Sequence, residues 1–366
     1  MKKMLLGFSA FTLMFAYSCK KEDDKKDDDD NTNTVTTVAQ DKTNLAATQN
    51  AMFTCLKSLH DGKGVQTIVH FFNVVNGEVL DTAWVKGMLD SLPSVVPENA
   101  MSSGFNFDAA AGTYTYSVGS KQWTYANTPT DKIIINFPSD KSKSTNNVEL
   151  VATKLIMTDF VNGTDTVHLP KSGSITLNVD GGKTLQLSLN NMEYSSDSTH
   201  IPTAIDASAF IDPFVFTLKE TMVGSKTFKV EFDMSNNSSC VYDVDVQLDL
   251  ATDDYANVNN EDIDLVTASY GFNDFQVDAT VKFAAMSAFD NPTADQINSN
   301  VTATVSYAGS KIGDLKAYAV TPDSVRLYIF YKDNTSEDVL SVYGDTFKSD
   351  MEGVWSDITG SWDTKK

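Results

Sequence analysis

The residues of this chain that could do chemistry are four histidines, three cysteines and 49 carboxylates. His60 and His70 are spaced too widely to form the two-histidine pair of a zinc-binding HExxH helix, and His168 and His200 fall near turn-like segments. There is no GxSxG elbow, phosphate-cradling Walker loop or dinucleotide-type GxGxxG segment, so acyl transfer and nucleotide chemistry lack their usual local signals. The histidines therefore read as structural or exposed. Paired carboxylates for glycoside hydrolysis would arise here from abundance alone. Trp84, Trp123 and Tyr125 could stack on sugar rings, but strand alternation and helix spacing assign them to a core. The expectation is a protein that is not an enzyme and needs no cofactor, with a glycan-acting hydrolase or a glycan-binding protein as the alternative.

The densest run of oxygen donors spans 249–264 and contains Asp253, Asp254, Asn257, Asn259 and Glu261, with Asn260 and Asp262. Calcium is the hard cation such a run would suit. The run lacks the Asp-x-Asp-x-Asp start of an EF-hand and its glycine at the sixth position, so the ordinary reading is a solvated acidic loop.

The formal net charge of -21 sets nucleic acid and anionic membrane surfaces aside as partners, because like charges repel before contact. Hydrophobic residues make up 41% and aromatics 10%, enough apolar area for a substantial core.

The chain opens with Lys2 and Lys3, followed by an apolar run from Met4 to Tyr17 that is too short to span a hydrocarbon layer of about 30 Å. It reads as a secretion signal over residues 1–18. The run ends in Ala16-Tyr17-Ser18-Cys19, a small residue directly before a cysteine, which resembles a lipobox. The resemblance implies acyl chains on Cys19, and several chains give stable anchoring at roughly 0.8 kcal/mol per buried CH₂. Residues 19–40 begin with Lys20-Lys21-Glu22-Asp23-Asp24 and include Asp27 to Asp30 and a Thr/Asn stretch. Nothing there can build a core, so the segment is expected to be a disordered tether.

Residues 41–100 carry helical signals. Leu45, Met52, Leu56 and Leu59 share one face, with Cys55 beside it and Gly62 as a stop. The apolar run Val65 to Val75 favours a strand through its β-branched and aromatic residues. A second helix starts at Asp81, buries Trp84, Val85, Met88, Leu89 and Leu92, and ends at Pro93. Over 101–344 the period becomes two. Ile175 and Leu177 face Leu187 and Leu185 across a three-residue loop, Asp180-Gly181-Gly182, with Gly182 left-handed. Phe228, Val230 and Phe232 pair with Val244, Val246 and Leu248 through the loop 235–239, so that Met234 opposes Cys240. A last hairpin joins Val325–Tyr331 to Val339–Tyr343, with Lys332 opposite Glu337 and Ile329 opposite Leu340. Residues 345–366 hold a short helix burying Phe347, Met351, Val354 and Ile358. The expected class is α+β, N-terminal helices packed on a large, mainly antiparallel meander that can curve into a half-barrel. Parallel crossover units are not expected.

An envelope address permits a disulfide between Cys55 and Cys240, and the inward register of Cys240 allows contact with the first helix. Two separately buried thiols explain the same pattern.

Gly112-Thr113-Tyr114-Thr115-Tyr116, the run Asp131 to Pro138, Ile201-Pro202-Thr203 and the stretch Val325 to Glu337 resemble a group of Bacteroidota surface lipoproteins without established activity. In that group an acidic cluster after the lipidated cysteine accompanies export to the cell surface. The resemblance implies an outer-membrane protein held by an acylated cysteine, with a protein, glycan or lipid partner and no named active residue. A more distant likeness, to envelope proteins whose curved sheet shelters an acyl chain, implies a lipid carrier.

Overall fold

A computed structural model describes residues 36–72, 87–100, 106–162, 165–196, 200–236, 240–253, 258, 260–289, 291–321, 324–339 and 341–342. The signal segment, Cys19, most of the tether, Trp84, Val85 and the expected last helix lie outside these residues.

In chain order the elements begin with helices α1 (Val38–His60) and α2 (Lys63–Phe72), followed by a helical turn at Phe107–Ala110. Strands β1 (Gly112–Ser117), β2 (Gln122–Ala126), β3 (Lys132–Phe137), β4 (Val148–Thr153), β5 (Ile156–Asn162), β6 (Asp165–Val179) and β7 (Gly182–Tyr194) come next. Then come β8 (Pro202–Ile211), β9 (Phe214–Val223), β10 (Thr227–Ser235), β11 (Val241–Leu250), β12 (Ile263–Phe272) and β13 (Phe275–Lys282). Two short helices, α3 (Phe283–Met286) and α4 (Ala294–Asn300), precede β14 (Val301–Tyr307), β15 (Ser310–Thr321), β16 (Ser324–Tyr331) and β17 (Ser336–Asp338). The class is α+β with mostly antiparallel pairing.

The chain divides into two compact units, and the division falls inside β8 and β9. One, here the Trp123 unit, contains Ser58–Tyr194 and Ile205–Phe216. The other, the disulfide unit, contains the described parts of Met1–Lys57, Ser195–Ala204 and Thr217–Asp357.

In the Trp123 unit, β1 lies between β2, which is antiparallel to it, and β3, which is parallel to it, a pairing the alternation alone did not anticipate. β4 pairs with β3 on one side and β6 on the other, and β6 pairs onward with β7. β5 continues the line of β4 along the first half of β6. One face of these strands carries Tyr114, Tyr116, Trp123, Phe137 and Val148, all buried and packed with Met88, Leu92 and Leu177. The Trp123 indole N–H donates to the Met88 carbonyl at 2.9 Å, tying the segment around Met88 to the sheet.

The run beginning at Val65 is helical through Phe72, not extended. Val65, Ile68 and Phe72 also fit one helical face, and short apolar runs do not separate the two periods. Ile175↔Leu187 and Leu177↔Leu185 form as the alternation predicts, but the turn differs. Val179 pairs with Gly182, the register shifts at Leu177/Asn178, and Asp180 (φ 54) and Gly181 (φ 76) are the left-handed residues. A two-residue turn plus a bulge thus satisfies the same parity as a three-residue loop. The extra residue is Thr184, which is fully buried.

In the disulfide unit, β10 to β17 form an uninterrupted antiparallel meander. Phe228, Val230 and Phe232 do share a face with Val244, Val246 and Leu248, but two residues out of the expected register, since Met234 opposes Tyr242 and Cys240 sits in the turn. The last hairpin is shifted by an odd number: Ile329 opposes Glu337, β17 is only three residues long, and Val339 is helical. Asp333 explains the shift. Its carboxylate accepts from the backbone N–H and hydroxyl of Thr335 at 2.9 and 2.6 Å, closing an Asx-type turn that leaves Asn334 left-handed at φ 66.

Helix α1 buries Asp41, Leu45, Thr48, Met52 and Cys55, a stripe at spacings of four and three. At its start the Asp41 carboxylate, 1% exposed, lies 3.1 Å from Lys332 Nζ. Lys42 pairs with Glu337 and lies over the Tyr331 ring. At the other end of that stripe, Cys55 is bonded to Cys240. From Asp41 to Cys55 the helix advances about 20 Å at ~1.5 Å per residue. From β16 to β11 the sheet steps five strands, about 24 Å at ~4.8 Å each. The two lengths agree, so α1 runs across the strands, near the end of the sheet where the β10–β11 and β16–β17 turns lie.

Candidate binding face

The two faces of the meander in the disulfide unit differ in chemistry and in cover. The apolar face holds Tyr242, Tyr270, Val277, Val305, Ala317 and Ile329, all buried. Helix α1 crosses it at one end of the strands. At the other end, Phe283 and Met286 of α3 pack on Leu250, Ile263, Val266 and Val281. In α4 the Asn298 side chain donates to the Ala317 carbonyl and accepts from the Ala317 N–H, both at 2.8 Å, so it completes the β15 ladder where β14 has ended. α4 itself starts with a capping box, Thr293 with Gln296.

The opposite face is polar, and cross-strand register makes it continuous. Asp243 opposes Asp233 on β10 and Gly271 on β12, and Asp245 opposes Glu231 and Ser269. Ser269 opposes Asp278, Asp278 opposes Thr304, Thr304 opposes Asp314, and Asp314 opposes Phe330. Alternation then places Lys316 and Tyr318 of β15 and Arg326 and Tyr328 of β16 on this same face, with Lys316↔Tyr328 and Tyr318↔Arg326 as pairs.

Carboxylates directly opposite one another on a ladder repel. Here they are held by neighbours. Lys229 Nζ donates to Glu231 at 2.5 Å, and that bond, with the Asp245 charge behind it, pushes the lysine above its ordinary range. Asp233 accepts from the Thr217 hydroxyl at 2.7 Å, and Asp278 accepts from Ser269 at 2.9 Å and Gln276 at 3.0 Å. The result is an ordered field of hydroxyl, amide and carboxylate groups.

The β15–β16 end is aromatic. Tyr318 and Tyr328 have ring centroids 5.0 Å apart at an interplanar angle of 49°, and Tyr318 is 52% exposed. Lys316 Nζ lies 5.4 Å from the Phe330 centroid. Arg326 donates to Asp338 at 2.9 Å, which holds its guanidinium above the ordinary range, and Lys311 pairs with Asp314 at 2.7 Å. A tyrosine pair, Tyr318 exposed and Tyr328 half-buried, beside cations that carboxylates or rings already engage can bind by stacking and by hydrogen bonds to the neighbouring polar groups. Sequence reading passed over these tyrosines, although the inward assignment of Ile329 fixes Tyr328 and Arg326 outward by parity.

The residues singled out from sequence behave differently. Trp123 is buried, and Tyr125 packs against Tyr114 while donating to the Ala111 carbonyl at 2.7 Å, so both belong to the Trp123 unit's core. His168 contacts Asp159 at 2.6 Å across the exposed β5–β6 ladder, and His60 contacts Asp61 at 3.0 Å. His200 stands at φ 48, and the side chain of His70 is not among those described. Of the calcium candidates, Asp253 and Glu261 are exposed, while Asp254, Asn257 and Asn259 lie outside the described residues. Among the described residues no three His, Cys, Asp or Glu side chains converge on a metal position. Nor, among those residues, is any helix long and apolar enough to cross a membrane.

No protein-family model matches the chain, and comparison with curated proteins and with solved structures returns no match.

Proposed function

We propose that this chain is a lipid-anchored module of the outer membrane, displayed at the cell surface, that binds a partner without catalysing a reaction. The observation that carries the reading is the Cys55–Cys240 disulfide in a chain that also begins with an apolar leader and a lipobox-like Cys19. Disulfides persist in oxidising compartments, so the bond and the leader point independently to the envelope. Acyl chains on Cys19 would supply the membrane contact, and the tether would set the folded part off from the bilayer. The polar and aromatic face of the disulfide unit is the binding surface on this reading.

Two measurements test it. Cells fed a labelled fatty acid are expected to label the wild-type chain and not a Cys19→Ala variant. Proteinase added to intact cells is expected to remove the folded part. A mature chain found free in the medium without acyl mass would sink the anchor, and a fully protected chain would sink surface display.

A lipid-carrier reading has one observation of its own. In the Trp123 unit, Ile175 and Leu187 share a face with the buried cluster yet are 49% and 59% exposed. Burial of such a pair against an acyl chain would be favourable. Lipid co-purifying with the chain, detected by mass spectrometry, would favour this reading, and its absence would remove it.

A further inference from the structure

Resting on the binding-module reading above, we propose that the exposed face of the disulfide unit is a site for a neutral oligosaccharide, stacked on Tyr318 and Tyr328 and laid across β15, β14 and β13.

The argument begins with what the face cannot bind well. Its interior is built of Asp278, Thr304, Thr302, Gln276 and Ser269, half-buried or exposed and without an apolar centre. Protein interfaces concentrate apolar and aromatic contacts at a desolvated core ringed by polar groups. On this face the order differs, because the aromatics stand at one side and the polar groups extend away from them. A polyanion is disfavoured by the carboxylates of Asp278, Asp314, Asp245 and Asp243, while the nearby cations Lys311 and Arg326 are already paired with Asp314 and Asp338 and Lys316 lies over the Phe330 ring.

A neutral sugar chain fits what remains. Its C–H faces stack on aromatic rings, and its hydroxyl groups both donate and accept, so they can use carboxylate, amide and hydroxyl partners without a charge of their own. From Tyr328 to Asp278 the face extends three strand spacings, about 14 Å, which accommodates several sugar units in line. Asp278 is pre-oriented by Ser269 and Gln276, so an acceptor is fixed before the ligand arrives. The tilt between the two tyrosine rings gives the chain a bent aromatic floor rather than a single flat plate.

The test is affinity electrophoresis of the full chain, purified in detergent, through gels containing starch, mixed-linkage β-glucan, mannan, xylan or anionic alginate. At least one of the four neutral polymers is expected to retard the protein. Tyr318→Ala is expected to weaken that retardation roughly tenfold, and Tyr318→Phe to preserve it, since stacking needs the ring and not the hydroxyl. Tyr328→Ala should weaken it as well, with an unchanged circular dichroism spectrum as the folding control. No retardation in any neutral gel overturns the proposal, as does retardation insensitive to both alanine variants, a preference for alginate, or capture of a protein through the same tyrosines. Fatty-acid labelling of Cys19 is read on the same preparations. A labelled chain that binds no glycan defeats this inference and leaves the anchor standing, and an unlabelled chain that is retarded does the reverse.

Discussion

Cys55 and Cys240 are joined across 185 residues of chain, with their Cα atoms 5.6 Å apart. The bond fixes the far end of the α1 stripe to the β10–β11 turn and removes a very long loop from the unfolded ensemble. Chain-entropy reasoning assigns such a loop a contribution of roughly 5 kcal/mol. Thermal unfolding followed with and without a reductant is expected to show a lower midpoint when the bond is reduced. A Cys55→Ser/Cys240→Ser double variant should show the same lower midpoint and no response to reductant. Equal midpoints for reduced and oxidised protein would mean that α1 is held by packing alone.

The start of α1 depends on a different bond. Asp41 is almost wholly buried beside Lys332, and Lys332 also donates to the Thr36 hydroxyl at 2.9 Å. Breaking a buried pair leaves one charge without its partner, so Asp41→Asn is expected to cost about 1–3 kcal/mol, below the value for a fully buried pair because Lys332 is partly wet. Paired with Lys332→Met in a double-mutant cycle, measured by denaturant unfolding, the two losses should be strongly non-additive. Simple additivity would show that Asp41 is stabilised by the helix end rather than by the lysine.

Glu220 on β9 is half buried, and desolvation raises its carboxyl above the ordinary value. A carboxyl whose folded pKa is raised favours the native state most when it is protonated in both states, and that advantage is lost as pH rises through the folded pKa. At neutral pH the ionised group therefore works against folding. Glu220→Gln is expected to raise the thermal midpoint at pH 7, and the gain should shrink to nothing as pH falls below about 4. A gain that stays constant down to acid pH would point to a packing effect instead.

What could be read from the sequence follows from what local pattern controls. Alternation places Ile175 opposite Leu187 and gives Phe228, Val230 and Phe232 their shared face, because a buried face penalises any odd slip. It does not distinguish a three-residue loop from a two-residue turn with a bulge, so Thr184 escapes notice. An even slip is invisible to parity, which is why the β10–β11 register differs by two while every side chain keeps its side. In the last hairpin the Asx turn at Asp333 outweighs the apolar match of Ile329 with Leu340, a choice set by turn chemistry. The disulfide needs α1 to cross the meander, a long-range fact that neither cysteine's neighbours encode. The tyrosine pair was within reach, since Ile329 inward means Tyr328 outward, but its meaning depends on α1 and α3 packing on the other face.

Helix α2 is the element whose type composition misjudged, and Gly64 is the residue that positions it. Its N–H donates to the Asp212 carbonyl at 2.9 Å, while the Asp212 N–H donates to the Thr184 carbonyl at 3.0 Å. The buried bulge residue, the β8–β9 turn and the first turn of α2 are thereby linked through backbone groups alone. A Cβ on Gly64 would stand 2.5 Å from the Asp212 nitrogen and 2.6 Å from Ile211 atoms, closer than any side chain tolerates. Gly64→Ala must push α2 off this turn, at a cost of about 1–3 kcal/mol, even though alanine is the better helix former by about 1 kcal/mol in isolation. Gly87, where a Cβ meets nothing within 4 Å, is the control: Gly87→Ala should leave the midpoint unchanged or raise it. Hydrogen exchange of the Gly64 and Asp212 amides, expected to accelerate in Gly64→Ala and not in Gly87→Ala, reads the link directly. Unchanged exchange at both amides would show that α2 holds its place without the close approach at Gly64.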